Sequence, residues 1–139
     1  MRFFWWGFLA LSMSAGEPQT IVIEADDLLR FNMTTIHVKS GGSMTLVFKN
    51  TGKIPSMQHN FVLLKAGADA ARFGNAAMNA KQDEFIPKAF QDQVVVHSRL
   101  LQGGQSETLT FAVPPKGTYS FLCSYPGHFS VSKGTLIVE

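Results

Sequence analysis

Tyr119-Ser120-Phe121-Leu122-Cys123-Ser124-Tyr125-Pro126-Gly127-His128 carries two readings at once. Its first half reads as a strand that ends at Cys123, the only cysteine of the chain. Its second half folds back through Pro126-Gly127, a turn-forming pair, and delivers His128. A thiol and an imidazole five positions apart on one short loop have the spacing of a metal site.

Working outward, short β-rich runs alternate with turn residues along the chain: Thr20 to Ala25, Thr34 to Val38, Met44 to Lys49, Asn60 to Leu64, Val94 to Ser98, Glu107 to Val113, Gly117 to Cys123 and Thr135 to Glu139. In the sixth, Leu109, Phe111 and Val113 share one face and Thr108, Thr110 and Ala112 the other, as a half-buried strand requires. Eight strands at this spacing predict an all-β fold, a Greek-key β-sandwich or barrel. The alanine-rich stretch from Ala66 to Lys88 predicts a helical insert. Gly74 and Asn75 fall inside it, so one or two short helices are expected there, folded as a flap over one edge of the sandwich.

Thiolate and imidazole together suit copper and zinc, and a trigonal site of two histidines and one cysteine is the blue-copper electron-transfer geometry. The second histidine must come from elsewhere in the chain. His59, in Gln58-His59-Asn60-Phe61-Val62, stands where a loop enters an apolar strand and is the best candidate. His37 alternates with Ile36 and Val38 and is expected to face solvent. His97 follows Val94-Val95-Val96 and is left out of the ligand set. Met33, Met44 and Met78 are expected to fill core gaps. The candidate metal ligands are therefore His59, Cys123 and His128, with copper as the cofactor.

His59-Asn60 before an apolar strand, Tyr119 to Cys123, Pro126-Gly127-His128 and Lys133-Gly134-Thr135-Leu136 resemble the cupredoxins of the azurin, auracyanin and plastocyanin type, over about residues 20–139. The resemblance implies a type 1 copper ion, electron transfer without catalysis, and a hydrogen bond between Asn60 and Ser124 tying the two ligand loops together. It also implies an apolar docking patch around His128, ringed by Met57, Phe129 and Pro126, for redox partner proteins. One position departs from the pattern: where the family carries an axial methionine directly before the Lys-Gly pair, this chain has Ser132, and no methionine follows Cys123. A serine hydroxyl is one carbon from the backbone and falls short of the metal. Three strong ligands and a weak or absent fourth are expected, with Ser132, a water or the Gln58 carbonyl as the oxygen donors to consider.

Composition narrows the alternatives. With 139 residues, 45% hydrophobic and 16% charged, the chain is sized for one domain with one core. Its 12 basic residues are scattered among 10 acidic ones, without the clustered stripe that nucleic-acid binding needs. Arg2, the apolar run Phe3 to Leu11 and the small residues Ser12, Ser14, Ala15 and Gly16 have the layout of a secretory signal peptide over residues 1–15, the run being too short to span a bilayer. The expectation is a monomeric protein of the periplasm or extracellular space, without stable membrane insertion once the signal is removed. The lone cysteine of an exported chain is then either an intermolecular bridge or a functional thiol. The competing functions are a copper-storage or delivery protein using the same ligands, a structural sandwich whose site binds zinc or nothing, and an enzyme with a Cys123 nucleophile. The last lacks an orienting third group and a substrate cleft.

Overall fold

The computed structural model describes residues 18–139, so the signal-peptide expectation falls outside the described residues. The eight strands are β1 (Gln19–Ala25), β2 (Thr35–Val38), β3 (Ser43–Asn50), β4 (Val62–Leu64), β5 (Val94–His97), β6 (Ser106–Ala112), β7 (Gly117–Leu122) and β8 (Lys133–Val138). They form a three-stranded sheet, β1-β3-β6, and a five-stranded sheet, β2-β8-β7-β4-β5. The pairs β1–β3 and β2–β8 are parallel, so both crossovers pass from sheet to sheet; the remaining pairs are antiparallel.

Alternation in sequence becomes alternation in burial. In β3, Met44, Leu46, Phe48 and Asn50 are buried while their neighbours are only half-buried or exposed. The three apolar side chains among them meet Ile36, Val38, Leu63, Tyr119, Phe121, Leu136 and Val138 of the other sheet in one core. At its centre Phe31, Phe48, Phe61 and Phe121 pack with ring centroids 5.3 to 6.4 Å apart. Each fully buried ring contributes about 2–3 kcal/mol of transfer free energy. Cys123 belongs to this core, so the loop that follows it springs directly from the packed interior.

β4 is buried on both faces. Leu63 faces the main core, whereas Val62 and Leu64, with Leu122, face a second cluster built on Phe73 and Ile86. Those two come from the insert, which contains α1 (Ala70–Ala77) and 3₁₀ turns at Lys81–Asp83 and Lys88–Gln93. The insert therefore covers the outer face of the five-stranded sheet, not merely an edge. Asp69 caps α1, its carboxylate accepting from the Arg72 N–H at 3.0 Å. Gly74 and Asn75 do not interrupt the helix: they lie inside it. A Cβ at Gly74 would run into the Phe129 ring, so the glycine makes room for a side chain from the metal loop. Met78, expected in the core, is 49% exposed, since it falls just past the helix end.

Candidate metal centre

Three loops converge at one end of the sandwich. His59 is pinned by an isolated pairing with Leu101: its N–H donates to the Leu101 carbonyl at 3.0 Å and its carbonyl accepts from the Leu101 N–H at 2.7 Å. The buried amide of Asn50 braces the same segment, donating to the carbonyls of Leu101 at 2.9 Å and Met57 at 3.1 Å. The His59 ring is oriented from behind, because its Nε2 lies 2.9 Å from the Asp26 carbonyl. A carbonyl only accepts, so Nε2 carries the proton and Nδ1 presents a lone pair. That lone pair faces Cys123 Sγ at 4.0 Å.

Cys123 follows the last residue of β7, and its N–H donates to the Ser132 carbonyl at 3.0 Å, closing the loop that contains His128. Within the loop, the His128 N–H donates to the Tyr125 carbonyl at 3.0 Å across Pro126 and Gly127, with Gly127 at φ 81°. Proline at the first central position and a left-handed glycine at the second make the pattern of a type II turn. It brings His128 Nδ1 to 3.6 Å from Cys123 Sγ. The two imidazoles lie 5.1 Å apart, and Tyr125 packs on His128 at 4.8 Å while its other side meets Phe85 at 5.2 Å.

The two ligand loops are tied to each other. Ser124 N–H donates to Asn60 Oδ1 at 2.7 Å, and Asn60 Nδ2 donates to Ser124 Oγ at 2.8 Å. The Asn60 N–H points at Cys123 Sγ, 3.5 Å away. Both residues are at most 1% exposed, so this pair is a dry cross-brace whose partners have no water to fall back on.

Burial tunes all three groups in one direction, toward neutrality. It pushes the Cys123 thiol up to about 11, against the pull of the Asn60 and Tyr125 N–H groups on the thiolate. It pushes the His128 imidazole down to about 4, with the neighbouring His59 adding to the effect. His59 is likewise lowered by burial, opposed by the Asp26 carbonyl and the carboxylates of Asp27 and Asp26. A cation is what such a group of donors lacks.

The donor atoms of His59, Cys123 and His128 all lie within 4.8 Å of one another. Ligand bonds of about 2.3 Å to sulfur and about 2.0 Å to nitrogen, spread trigonally, separate S and N by about 3.7 Å. The observed 3.6 and 4.0 Å bracket that spacing, so the residues fit a copper ion without rearrangement. They are arranged as a type 1 copper site. His37 and His97 lie elsewhere: His37 Nδ1 meets the Glu139 carboxylate at 2.8 Å on the surface, and His97 Nδ1 meets the Ser98 carbonyl at 2.8 Å.

One expectation about the surroundings changes. Phe129 does not ring His128: it packs into the cluster of Phe73 and Leu122, on the far side of the loop. Ser132 is fully buried, and its hydroxyl donates to the Leu29 carbonyl. The loop that supplies this carbonyl also orients His59, in both cases through a backbone carbonyl and not a side chain. Its sequence signal is local: Asp26 Oδ1 accepts from the N–H groups of Leu28 at 3.0 Å and Arg30 at 3.1 Å, an aspartate-centred turn.

The sequence profile of copper binding proteins of the plastocyanin/azurin family matches residues 19–139. Auracyanin-A of Chloroflexus aurantiacus is 34% identical over 128 residues, covering 91% of this chain and 78% of that protein. Azurin of Achromobacter denitrificans is 36% identical over 120 residues, covering 82% of this chain and 80% of the other. Among solved structures, dithionite-reduced auracyanin from Roseiflexus castenholzii superposes with a TM-score of 0.78 at 35% identity, over 89% of this chain and 99% of that one. Auracyanin A of a green thermophilic photosynthetic bacterium, described as a "blue" copper protein, gives 0.78 at 34% identity over 88% and 99%. With the two-sheet fold, the converging His59, Cys123 and His128 and a match along the whole described length, the chain belongs to the cupredoxins, the plastocyanin/azurin family of copper-binding proteins.

Proposed function

We propose that this protein is an exported electron carrier in which His59, Cys123 and His128 hold one copper ion and no substrate is turned over. The observation that carries the reading is the way the three donors are held: each ligand residue is fixed by backbone hydrogen bonds, and the two loops are cross-braced by Asn60 and Ser124. Copper, when bound, supplies one-electron chemistry between Cu(II) and Cu(I). The chain's own contribution is a ligand frame that changes little between the two states and excludes water from them.

Two neutral imidazoles and one thiolate leave an ion of net charge zero or one, the charge that a dry site tolerates best. Cys123 must lose its proton to bind, and the Asn60 and Tyr125 N–H groups that point at its sulfur support the thiolate once it forms. His128 is 6% exposed whereas His59 and Cys123 are fully buried, which makes its imidazole edge the shortest route for an electron to the surface. Redox partners then dock over that edge through small, transient contacts on an apolar rim that includes Met57. The same burial argues against storage or delivery, since a metal enclosed by three ligands and packed aromatics exchanges slowly.

Axial ligation is weak in this reading. Ser132 stands where the family carries methionine, and its hydroxyl is already committed to Leu29. Residues 1–15 act as the export signal and residues 20–139 as the copper domain, a monomer in the periplasm or extracellular space. Among the described residues no helix is long and apolar enough to cross a membrane.

The test is the visible and EPR spectrum of the Cu(II) protein beside Cys123→Ser. An intense thiolate-to-copper band near about 600 nm with small hyperfine splitting, lost in the variant and reversibly bleached by reductant, is expected for a trigonal blue site. A wild-type protein without any cysteine-dependent band sinks the proposal.

A further inference from the structure

Ser132 connects to all three ligand residues, two of them directly and the third through a loop, by three different atoms. Its N–H donates to the His128 carbonyl at 2.8 Å, and its carbonyl accepts from the Cys123 N–H at 3.0 Å. Its hydroxyl donates to the carbonyl of Leu29, 103 positions earlier in the chain. Leu29 lies in the loop from Asp26 to Arg30, and the Asp26 carbonyl is the acceptor that orients the His59 ring. The side chain of Ser132 therefore reaches the third ligand through one loop.

That loop is built to present its carbonyls. Leu29 sits at φ 62°, a left-handed conformation that costs a leucine free energy and turns its peptide groups away from the usual course. Five hydrogen bonds hold it there. Asp26 Oδ1 takes the N–H groups of Leu28 and Arg30, and Asp26 Oδ2 takes the Arg30 guanidinium at 3.2 Å. Asp26 N–H donates to the Arg30 carbonyl at 3.2 Å, and Leu29 N–H to the Asp26 carbonyl at 3.1 Å. The Asp26 carbonyl thus serves the loop and His59 together. Any rotation of the loop moves the acceptor behind the His59 ring.

We propose that Ser132 is a positioning residue of the copper site: its hydroxyl, by anchoring the Leu29 carbonyl, locks the Asp26–Arg30 loop against the ligand loop and so fixes the orientation of His59. The position where the family holds a thioether is used here as a strut between loops, and the strut requires a short side chain with an O–H. This rests on the copper reading for its purpose, but not for its measurement, which needs no metal.

The experiment is hydrogen exchange followed by NMR on the copper-free protein, wild type against Ser132→Ala. With the hydroxyl gone, exchange of the His59 Nε2 proton and the amides of Leu28, Leu29 and Arg30 is expected to accelerate about tenfold, the loss of one buried hydrogen bond. Amides in the centres of β3 and β6 are expected to keep their wild-type rates. Unchanged exchange at His59 overturns the proposal. Uniform acceleration across both sheets also overturns it, because Ser132 would then contribute to global stability alone. The Ser132→Thr variant, which keeps the hydroxyl, should return His59 to the slow regime. If that variant exchanges like Ser132→Ala while its β3 and β6 amides stay slow, the result counts against the strut. If the wild-type protein shows no cysteine-dependent copper band, the copper reading fails while this result stands or falls on its own.

Discussion

Replacing Asn60 by alanine tests whether the cross-brace between the ligand loops is worth what its geometry implies. The side chain makes two hydrogen bonds to Ser124, at 2.7 and 2.8 Å, in a region where both residues are at most 1% exposed. Asn60→Ala removes both and leaves a buried N–H and a buried hydroxyl without partners. A net hydrogen bond contributes about 1 kcal/mol and an orphaned buried partner costs about 1–3 kcal/mol, so a loss of about 3 kcal/mol is expected. For a domain whose whole stability is about 5–15 kcal/mol, that is a large share. The measurement is urea denaturation of the copper-free protein, since bound metal would add its own stabilisation and blur the comparison. With a slope of about 2 kcal/mol per molar urea, the midpoint should fall by about 1.5 M at unchanged slope.

Ser124→Ala supplies the second arm. It removes one of the two bonds and leaves only Asn60 Nδ2 unpaired, for an expected loss of about 1.5 kcal/mol. In the double variant the amide and the hydroxyl vanish together, so the hydroxyl is no longer orphaned. Its loss should fall short of the sum of the singles by about 1 kcal/mol or more, well outside the ~0.5 kcal/mol within which independent sites add. Additive losses, or an Asn60→Ala midpoint within about 0.3 M of wild type, would refute the claim that the two loops are held by this pair.

Three further outcomes follow from named contacts. Gly74→Ala should destabilise by about 1–2 kcal/mol although alanine is the better helix former by about 1 kcal/mol, because its Cβ meets the Phe129 ring; thermal denaturation should show part of the loss recovered in Gly74→Ala with Phe129→Ala. The copper-free protein should lose stability as pH falls. His128 is held down to about 4 in the folded chain against 6.5 unfolded, so the unfolded chain takes up the proton first, and up to about 3 kcal/mol present above pH 6.5 is gone by pH 4, measurable as a falling urea midpoint; a flat profile across that window contradicts the burial of the imidazole. Metal binding at pH 7 should release about one proton per ion, from the Cys123 thiol raised to about 11, since both imidazoles are already neutral; calorimetry in two buffers of different ionisation enthalpy reads the number, and release near zero would mean that the thiol does not ligate.

The sandwich was legible because its signal is strong and local. Strict alternation such as Leu109-Thr110-Phe111 survives into burial, and all eight strands lie within two residues of where alternation and turn residues put them. The helix through Gly74 was obscured for a physical reason: glycine lowers intrinsic helix propensity, and what overrides it is a ring arriving from residue 129, which no local window contains. Phe129 itself misled by adjacency to His128. The turn at Gly127 reverses the chain, and consecutive side chains leave the loop on opposite sides, one toward Cys123 and one toward α1.

The site divides in the same way. Cys123 and His128 share a loop, and His59 precedes a strand, so the residues whose chemistry is unusual were visible as letters. The groups that aim them are backbone carbonyls of Asp26, Leu29 and Leu101, and a carbonyl has no letter of its own. Only their partners can betray them: a buried hydroxyl at Ser132, or an imidazole whose second nitrogen needs an acceptor.

Rigidity in this centre comes from long-range connections more than from any one loop. His59 is braced by Leu101 and Asp26, 42 and 33 positions away, Asn60 by Ser124, 64 away, and Ser132 by Leu29, 103 away. Each link joins segments that the sheets already hold in register, so the ordering cost of bringing them together is met by folding and not by the metal. A ligand frame closed before copper arrives has little freedom to follow the ion's preference in either oxidation state. Serine at position 132 fits that logic: its hydroxyl adds the longest of these links, from the loop that holds His128 to the Leu29 carbonyl.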